Sequence, residues 1–461
     1  MYKMETINLS RPINYRSLIK LTVLLFAALF SFFCFQYQLI HPVCCDALDY
    51  ISIGQLYAKH GFTNHATSHI RLYGYPLFIA LNVKLSDLLL IKLDYLVYLV
   101  QTGLYVLGVF LLSRQVASIF SSTAANCCFF ALLSNFFVYP YLAISLTDGL
   151  TVILLLFISY IILILFSAPF PLSLNRKNFL LSSILGFLMG FAIVVRPANI
   201  NWLLLLPPVS LTWLIRCRKN MYTRMGHILA VCIGFGLAVA PQLLLNWEGF
   251  HQWTFLPTFK LGDYQLFSGN RMIKYATSMV SGGGSLIYNN PTTYILDADI
   301  TTWYIHHPFI AIKTILVHFF AAFDFDYLFP YIYNYVPKYS WALFIFSHLV
   351  LFWSGVGYIL AIQSARHNTL INPQFKTIQR LLLVLYPCLI LGWITVYGLS
   401  AVENRFALPV FSAMLILATW ALFIKARTIS CKYWLYGLFI SYLILAWQLS
   451  HWIADTKVIK V

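Results

Sequence analysis

The sequence predicts an all-α polytopic membrane protein of about eleven transmembrane helices, with two long outer loops carrying interfacial helices. Three observations carry that expectation. Of the 461 residues, 61% are hydrophobic and 10% charged, with a mean hydropathy of +0.78; a soluble domain carries about 25% charged residues. Runs of the roughly 20 apolar residues needed to cross a bilayer recur along the chain, and backbone in lipid satisfies its own hydrogen bonds best as helix. Between the runs, Lys and Arg fall in alternate short intervals, the pattern of segments kept on one side.

Taken in order, the first run, 18–40, is too long for a signal-peptide core and lacks a small-residue cleavage site after it, so a retained anchor is expected. The first outer loop, 41–91, follows. Within it Ala47 to about His60 reads as a helix, with Gly61 in the usual C-terminal position. Residues 74–91 are not counted as a span, because that would place Arg114 outside and invert everything downstream. Spans are expected near 92–113, 123–142, 148–167, 179–195, 199–215 and 226–246. The second outer loop, 247–340, alternates apolar and polar residues and is dense in aromatics (Tyr327, Phe329, Tyr331, Tyr333, Tyr335, Tyr339) suited to headgroup level. It also holds the flexible stretch Ser281-Gly282-Gly283-Gly284-Ser285. Spans near 340–363, 381–400, 405–424 and 433–452 complete the chain. No internal repeat is visible. The expectation is one membrane domain in three parts: 1–246, the loop 247–340, and 341–461.

The basic intervals are 1–20, 114–122, 168–178, 216–225, 364–380 and 425–432, all on one side for this span count, which makes that side cytoplasmic. The formal charge of +16 is then chiefly an orientation signal and an attraction to anionic headgroups. Spread over short loops, it does not suit nucleic acid. Acids are scarce, 14 against 30 Lys plus Arg, and all but Glu5 fall outside or at outer span ends. Acids hardly influence insertion, so the outer face is expected to be the working face. The nine cysteines give no metal-ligand spacing, and the adjacent Cys44 and Cys45 cannot easily bridge each other. His60, His65, His69, His306 and His307 match no metal-ligand pattern.

Asp46 and Asp49 lie three apart at the mouth of the first span, on one side of the expected helix. At the N-terminus of that helix Asp46 reads equally as a helix cap or as an ionised general base. Arg71 reads as a planar fork for a lipid phosphate or as interfacial snorkelling. Asp148 opens one span and Arg196 ends another, and ionisable groups at that depth are functional candidates. Glu403 and Arg405 share a very short outer turn, where a salt bridge is the plainer reading.

Together these pieces resemble a known family. Asp46-x-x-x-Tyr50, Gly61 and Arg71-x-x-Gly74-Tyr75-Pro76-Leu77-Phe78 look like the first outer loop of the GT-C superfamily of glycosyltransferases, which includes bacterial dolichyl-phosphate-mannose-type mannosyltransferases and the lipid A aminoarabinose transferase. The resemblance continues through Thr147-Asp148-Gly149-Leu150, Gly186-x-x-x-Gly190 with Arg196-Pro197, Pro241-Gln242-x-x-x-Asn246, and Glu403-x-Arg405-Phe406-x-Leu408-Pro409. It covers about the first 250 residues and the turn at 400–410. Departures are Asp148 where the family often has Glu, Tyr73 where Pro is common, and the lack of a C-terminal soluble domain, which speaks against oligosaccharyltransferase-type members.

The resemblance implies a fold that is GT-C-like and an enzyme that takes sugar from a polyprenyl-phosphate-linked donor to a hydroxyl on a glycan, lipid or protein acceptor. Asp46 would be the catalytic base, with Asp49 a supporting acid. Arg71, Tyr75, Asp148, Arg196, Glu403 and Arg405 would bind substrate. No cofactor is implied with certainty; a divalent metal ion stays open, with no metal-binding residues assigned. The place implied is a bacterial inner membrane, with the site facing the periplasm. The alternatives are an O-antigen polymerase or ligase relying on cations of the second loop (Lys260, Arg271, Lys274), and a lipid-linked-sugar flippase or transporter.

Overall fold

The structure is a computed structural model that describes residues 15–41, 43, 45–61, 68–167, 175–216, 221–276, 285–290, 300–325, 340–367, 373–400, 402–425 and 432–460. Several expectations fall outside those residues: the aromatic run Tyr327 to Tyr339, the Gly282–Gly284 stretch, His65, and the basic residues Lys3, Arg11, Arg218, Lys219 and Arg427.

Among the described residues ten helices are long and apolar enough to cross a membrane, so the chain is a polytopic, predominantly helical membrane protein. They are Leu18–Leu39 within α1 (Tyr15–Leu39), α4 (Leu93–Ile119), α7 (Thr147–Ser167), α8 (Arg176–Val195), a 3-10 stretch Pro197–Leu205 continued by α9 (Leu206–Arg216), α10 (Met221–Phe250), the cores of α14 (Ser340–His367), α15 (Pro373–Tyr397) and α17 (Lys432–Asp455), and Asn404–Phe423, which runs beyond α16 (Leu408–Trp420) at both ends. Burial ranks them: 78% of α7's apolar window is buried against 17% for α17, so α7 is the axis of the bundle and α17 lies at its margin.

The expected span 123–142 takes a different form. It is α5 (Ser122–Leu133) followed by a turn and the short α6 (Tyr139–Leu142). A break at membrane depth is tolerated only where its backbone groups find partners, and here they do. Tyr105 and Tyr139 donate to the carbonyls of Leu132 and Leu133, and Gln101 Nε2 donates to those of Leu142 and Ile144 at 3.1 Å each. Asn135, in the turn, donates to Ser412 Oγ at 3.0 Å.

The first long loop folds as α2 (Asp46–His60) and α3 (Gly74–Leu89), which is not among the helices long and apolar enough to cross. Gly61 at φ 75 ends α2 as its position suggested. The second long loop carries α11 (Leu261–Arg271), α12 (Ile300–His306) and α13 (Pro308–Phe323), the last two meeting at 108°. It also forms something periodicity did not suggest. Strands β1 (Met272–Ala276) and β2 (Ser285–Asn289) pair antiparallel, and β3 (Lys457–Lys460), after the last helix, adds to β2. Strand pairing with a segment about 170 positions away leaves no local periodic signal.

Glycines set the closest helix packing. A Cβ on Gly186 of α8 would run into the Val231 carbonyl of α10, and one on Gly234 into the Ser183 carbonyl, so the two backbones touch directly, as small residues permit between membrane helices. A Cβ on Gly74 would lie 2.6 Å from the backbone of Val194, which brings the start of α3 against the end of α8. Cys45 is disulfide-bonded.

Candidate active site

Five chain segments meet at one end of the bundle. They are the start of α2, the loop before α3, the first turn of α7, the end of α8 and the turn before α16.

Asp46 is the first residue of α2 rather than its cap; the cap position belongs to Cys45, which makes no side-chain capping bond. The Asp46 carboxylate turns instead to two guanidiniums. Arg71 Nη2 donates to Oδ1 at 2.6 Å and Arg405 Nη2 lies 3.5 Å from Oδ2. Asp49, one helical turn on, accepts from Arg71 Nε at 3.2 Å and Nη2 at 3.1 Å. Arg71 is thus gripped by both acids while its Nη1 has no hydrogen bond among the described residues, and its guanidinium sits 5.1 Å from the Tyr50 ring centre.

Asp148, with a side chain fully shielded from solvent, accepts from Arg196 at Oδ1 and from Arg405 Nη1 at 3.3 Å on Oδ2. Glu403 accepts from Arg405 Nε. Phe406 underlies both cations, 4.6 Å from Arg196 and 5.3 Å from Arg405. Tyr75 is fully buried against Tyr50, and its hydroxyl has no hydrogen-bond partner among the described residues, an orphaned donor that a ligand oxygen would satisfy. All eight residues singled out in the sequence therefore gather at one end of the bundle, seven of them in one continuous network of ion pairs.

Three guanidiniums face four carboxylates, so one negative charge is in excess. The electrostatics divide the acids. Burial alone raises the Asp46 pKa, but Arg405 and Arg71 outweigh it and hold Asp46 below its ordinary 3.8. Glu403 goes the other way: burial pushes it up, Arg405 opposes incompletely, and Asp46 and Asp148 add to the rise. Of the two, Asp46 is the dependable anion and Glu403 the readier to take a proton. Asp46 also stays open to a ligand, its side chain 23% exposed against 6% for Glu403.

The loop bearing Arg71 is held from several sides. Its amide donates to Ser68 Oγ at 3.0 Å, and the next-but-one amide, of Tyr73, donates to Gln242 Oε1 at 2.8 Å. Gln242 in turn donates to Asn246 Oδ1, whose Nδ2 donates to the carbonyls of Thr254 and Leu256. The Gln242-x-x-x-Asn246 spacing is thus one helical turn that clamps two loops together. His69 joins them as well, bonded to Thr258 and packed on Phe250 with ring centres 3.9 Å apart and planes tilted by 31°, and His307 stacks on Trp303 at 4.5 Å. Among the described residues no group of three or more His, Cys, Asp or Glu could hold a metal ion, and the carboxylates of the cluster are turned to guanidiniums.

Sequence reasoning missed Tyr397, which packs against Phe406 at 4.7 Å and accepts from the Arg196 side chain, and the buried Asp324, Lys274 and His348 near the same turn. Asp324 had been read only as one more outer acid, and Lys274 as a loop cation. Scarcity of charge in so apolar a chain was the signal that could have marked both.

No family model matches the chain, and neither does any curated protein. Among solved structures, it is similar to the crystal structure of the Archaeoglobus fulgidus oligosaccharyltransferase tethered to an acceptor peptide containing the NVT sequon, at 13% identity and a TM-score of 0.49. The alignment covers 95% of this chain and 55% of that one, so the chain spans about half the length of the archaeal enzyme. An identity and a TM-score this low assign neither family nor activity.

Proposed function

We propose that this protein is a GT-C-type glycosyltransferase that moves a sugar from a polyprenyl-phosphate-linked donor to an acceptor hydroxyl on the extracytoplasmic face of the membrane. The observation that carries the reading is Asp46: a partly open carboxylate in the first turn of α2, held ionised by Arg71 and Arg405. A general base must be ionised and reachable by the hydroxyl it serves. Asp46 would take the acceptor proton as the acceptor oxygen bonds to the anomeric carbon and the bond from that carbon to the donor phosphate breaks, with inversion. The low basicity of Asp46 suits a hydroxyl that becomes acidic only as the new bond forms.

The departing polyprenyl phosphate gains negative charge, and preorganised cations at a water-poor interface stabilise such charge well. Arg71 is the candidate for that role, with Nη1 available while its other nitrogens are fixed by Asp46 and Asp49. The Tyr75 hydroxyl is a second donor in search of an acceptor. Asp148, buried between Arg196 and Arg405, serves to place those two guanidiniums. The polymerase or ligase reading loses one of its three loop cations, since Lys274 is fully buried on the Asp324 carbonyl. The orientation follows from the Lys and Arg intervals, and a bacterial inner membrane is the setting that fits.

The test is Asp46→Asn in the full-length protein, assayed by mass analysis of envelope glycans and lipids from cells with and without the gene. Loss of the transferred sugar with normal membrane levels of the variant supports the reading; undiminished transfer sinks it.

A further inference from the structure

A second buried polar knot lies beside the ion-pair cluster, and the chemistry above uses none of it. Asp324, just past the end of α13, is 1% exposed. Its carbonyl oxygen accepts from Lys274 Nζ of β1 at 2.7 Å and from Asn404 Nδ2 at 2.8 Å. Its carboxylate accepts from Ser450 Oγ of α17 at 2.8 Å and lies 3.3 Å from His348 Nε2 of α14, whose Nδ1 is 2.7 Å from the Tyr442 hydroxyl. Lys274 and His348 are fully buried. Burying a carboxylate and an ammonium costs free energy even when they are well bonded, so buried groups of this kind point to a role beyond packing.

Asn404 supplies that role, because it stands between Glu403 and Arg405. The turn carrying all three is fixed from outside by a few bonds. Besides the Asn404–Asp324 bond, Tyr275 of β1 donates its amide to the Val402 carbonyl at 2.8 Å, and Trp393 Nε1 donates to the Phe406 carbonyl at 3.1 Å. Arg405 must reach Glu403, Asp148 and Asp46 at once. Its contact with Asp46, at 3.5 Å, is the longest and stands at the limit of a hydrogen bond, so a sub-ångström drift of the turn ends it.

We propose that Asp324 and Asn404 are positioning residues, whose contact holds the Glu403–Arg405 turn where Arg405 reaches Asp46. The catalytic consequence rests on the reading of Asp46 as the base; the geometric claim does not. The charged and titratable groups facing Asp46 are Arg71 from the loop before α3, Asp49 and Tyr50 from α2, Arg405 and Glu403 from the turn, and Asp148 from α7, the last through Arg405. Arg405 is the member whose place depends on Asn404. Without it Arg71 alone opposes burial, and Asp46 takes its proton at a higher pH.

The experiment reads that protonation directly and needs no sugar donor. Dicyclohexylcarbodiimide adds to protonated carboxyls: the carboxyl oxygen bonds to the carbodiimide carbon, the proton passes to nitrogen, and the adduct rearranges to a stable acylurea. The full-length protein in lipid nanodiscs is treated across a pH series, and adduct at Asp46 is measured by peptide mass spectrometry. Asn404→Ala is expected to raise the midpoint by about one pH unit, the scale of losing one close opposite charge. Ser450→Ala, which loosens the Asp324 carboxylate, moves it the same way by less. Asn135→Ala removes a buried bond to Ser412 elsewhere on α16 and leaves the midpoint unchanged. Wild-type midpoints in both Asn404→Ala and Ser450→Ala overturn the proposal, as does an equal shift in Asn135→Ala. If Asn404→Ala fails to fold, Ser450→Ala and Lys274→Met decide the matter by the same measurement. A shifted midpoint together with an active Asp46→Asn keeps the positioning claim and sinks the catalytic reading; an inactive Asp46→Asn with unshifted midpoints does the reverse.

Discussion

Arg405 Nη1 lies 3.3 Å from Asp148 Oδ2, joining two residues 257 positions apart in the chain. The contact ties the first turn of the central helix α7 to the turn before α16, and Arg196 closes on the other oxygen of the same carboxylate. Two of the three cations of the site therefore depend on one buried acid.

Asp148→Asn is accordingly expected to be a folding variant before it is a catalytic one. It leaves two guanidiniums around a neutral amide in a shielded place, a change that costs about 3–5 kcal/mol where one partner of a buried pair is removed. Thermal unfolding in detergent should show a markedly lower midpoint for Asp148→Asn than for Asp46→Asn, whose carboxylate is partly open. Equal stability of the two variants would contradict the assignment of Asp148 as the structural anchor.

Arg71→Ala is expected to weaken use of the donor more than use of the acceptor. The side chain offers Nη1 to the lipid phosphate and contacts the acceptor only through Asp46. Steady-state assays with donor and acceptor varied separately should show KM rising chiefly for the donor. An equal rise for both substrates would argue against phosphate contact.

The pH dependence has a definite sign. Arg405 and Arg71 outweigh burial and hold Asp46 below 3.8, so the base stays ionised, and transfer persists, down to that region. Arg71→Gln removes one of the two cations, raises the Asp46 pKa, and should move the acid limb of the pH–rate profile upward by about one unit. An unmoved limb in that variant would mean that Asp46 is not the group being titrated.

Gly186→Leu and Gly234→Leu test the close approach of α8 and α10. Each added side chain meets a backbone carbonyl of the facing helix, which cannot swing aside. Overpacking of this kind costs about 1–3 kcal/mol and sometimes more. Gly236→Leu, on the same helix with open space around it, is the control and should unfold near the wild-type temperature.

Much of the site was legible in one dimension because charge is so rare here. In a chain with 10% charged residues, an acid at a span end stands out, and Asp46, Arg71, Asp148, Arg196, Glu403 and Arg405 were all found that way. What the one-dimensional reading could not assign was who pairs with whom. It weighed a Glu403–Arg405 pair, which forms, and a cap role for Asp46, which the Cys45 position takes instead. It could not find the Asp324 knot, because Lys274, His348, Asn404 and Ser450 are scattered over the last 190 residues and only packing brings them together.

The sequence by itself determined that this is a membrane protein and how many apolar helices it has to within one. Hydropathy is a sum over local windows, and the burial of an apolar helix in lipid needs no tertiary partner. Only the tertiary structure decided that the span at 123–142 breaks, that β3 pairs with a strand some 170 residues earlier, and that Asp46 and Glu403 differ in their hold on a proton. Each of those depends on a partner distant in sequence: a Gln or Tyr to satisfy a broken helix, an edge strand to pair with, a guanidinium close enough to outweigh burial.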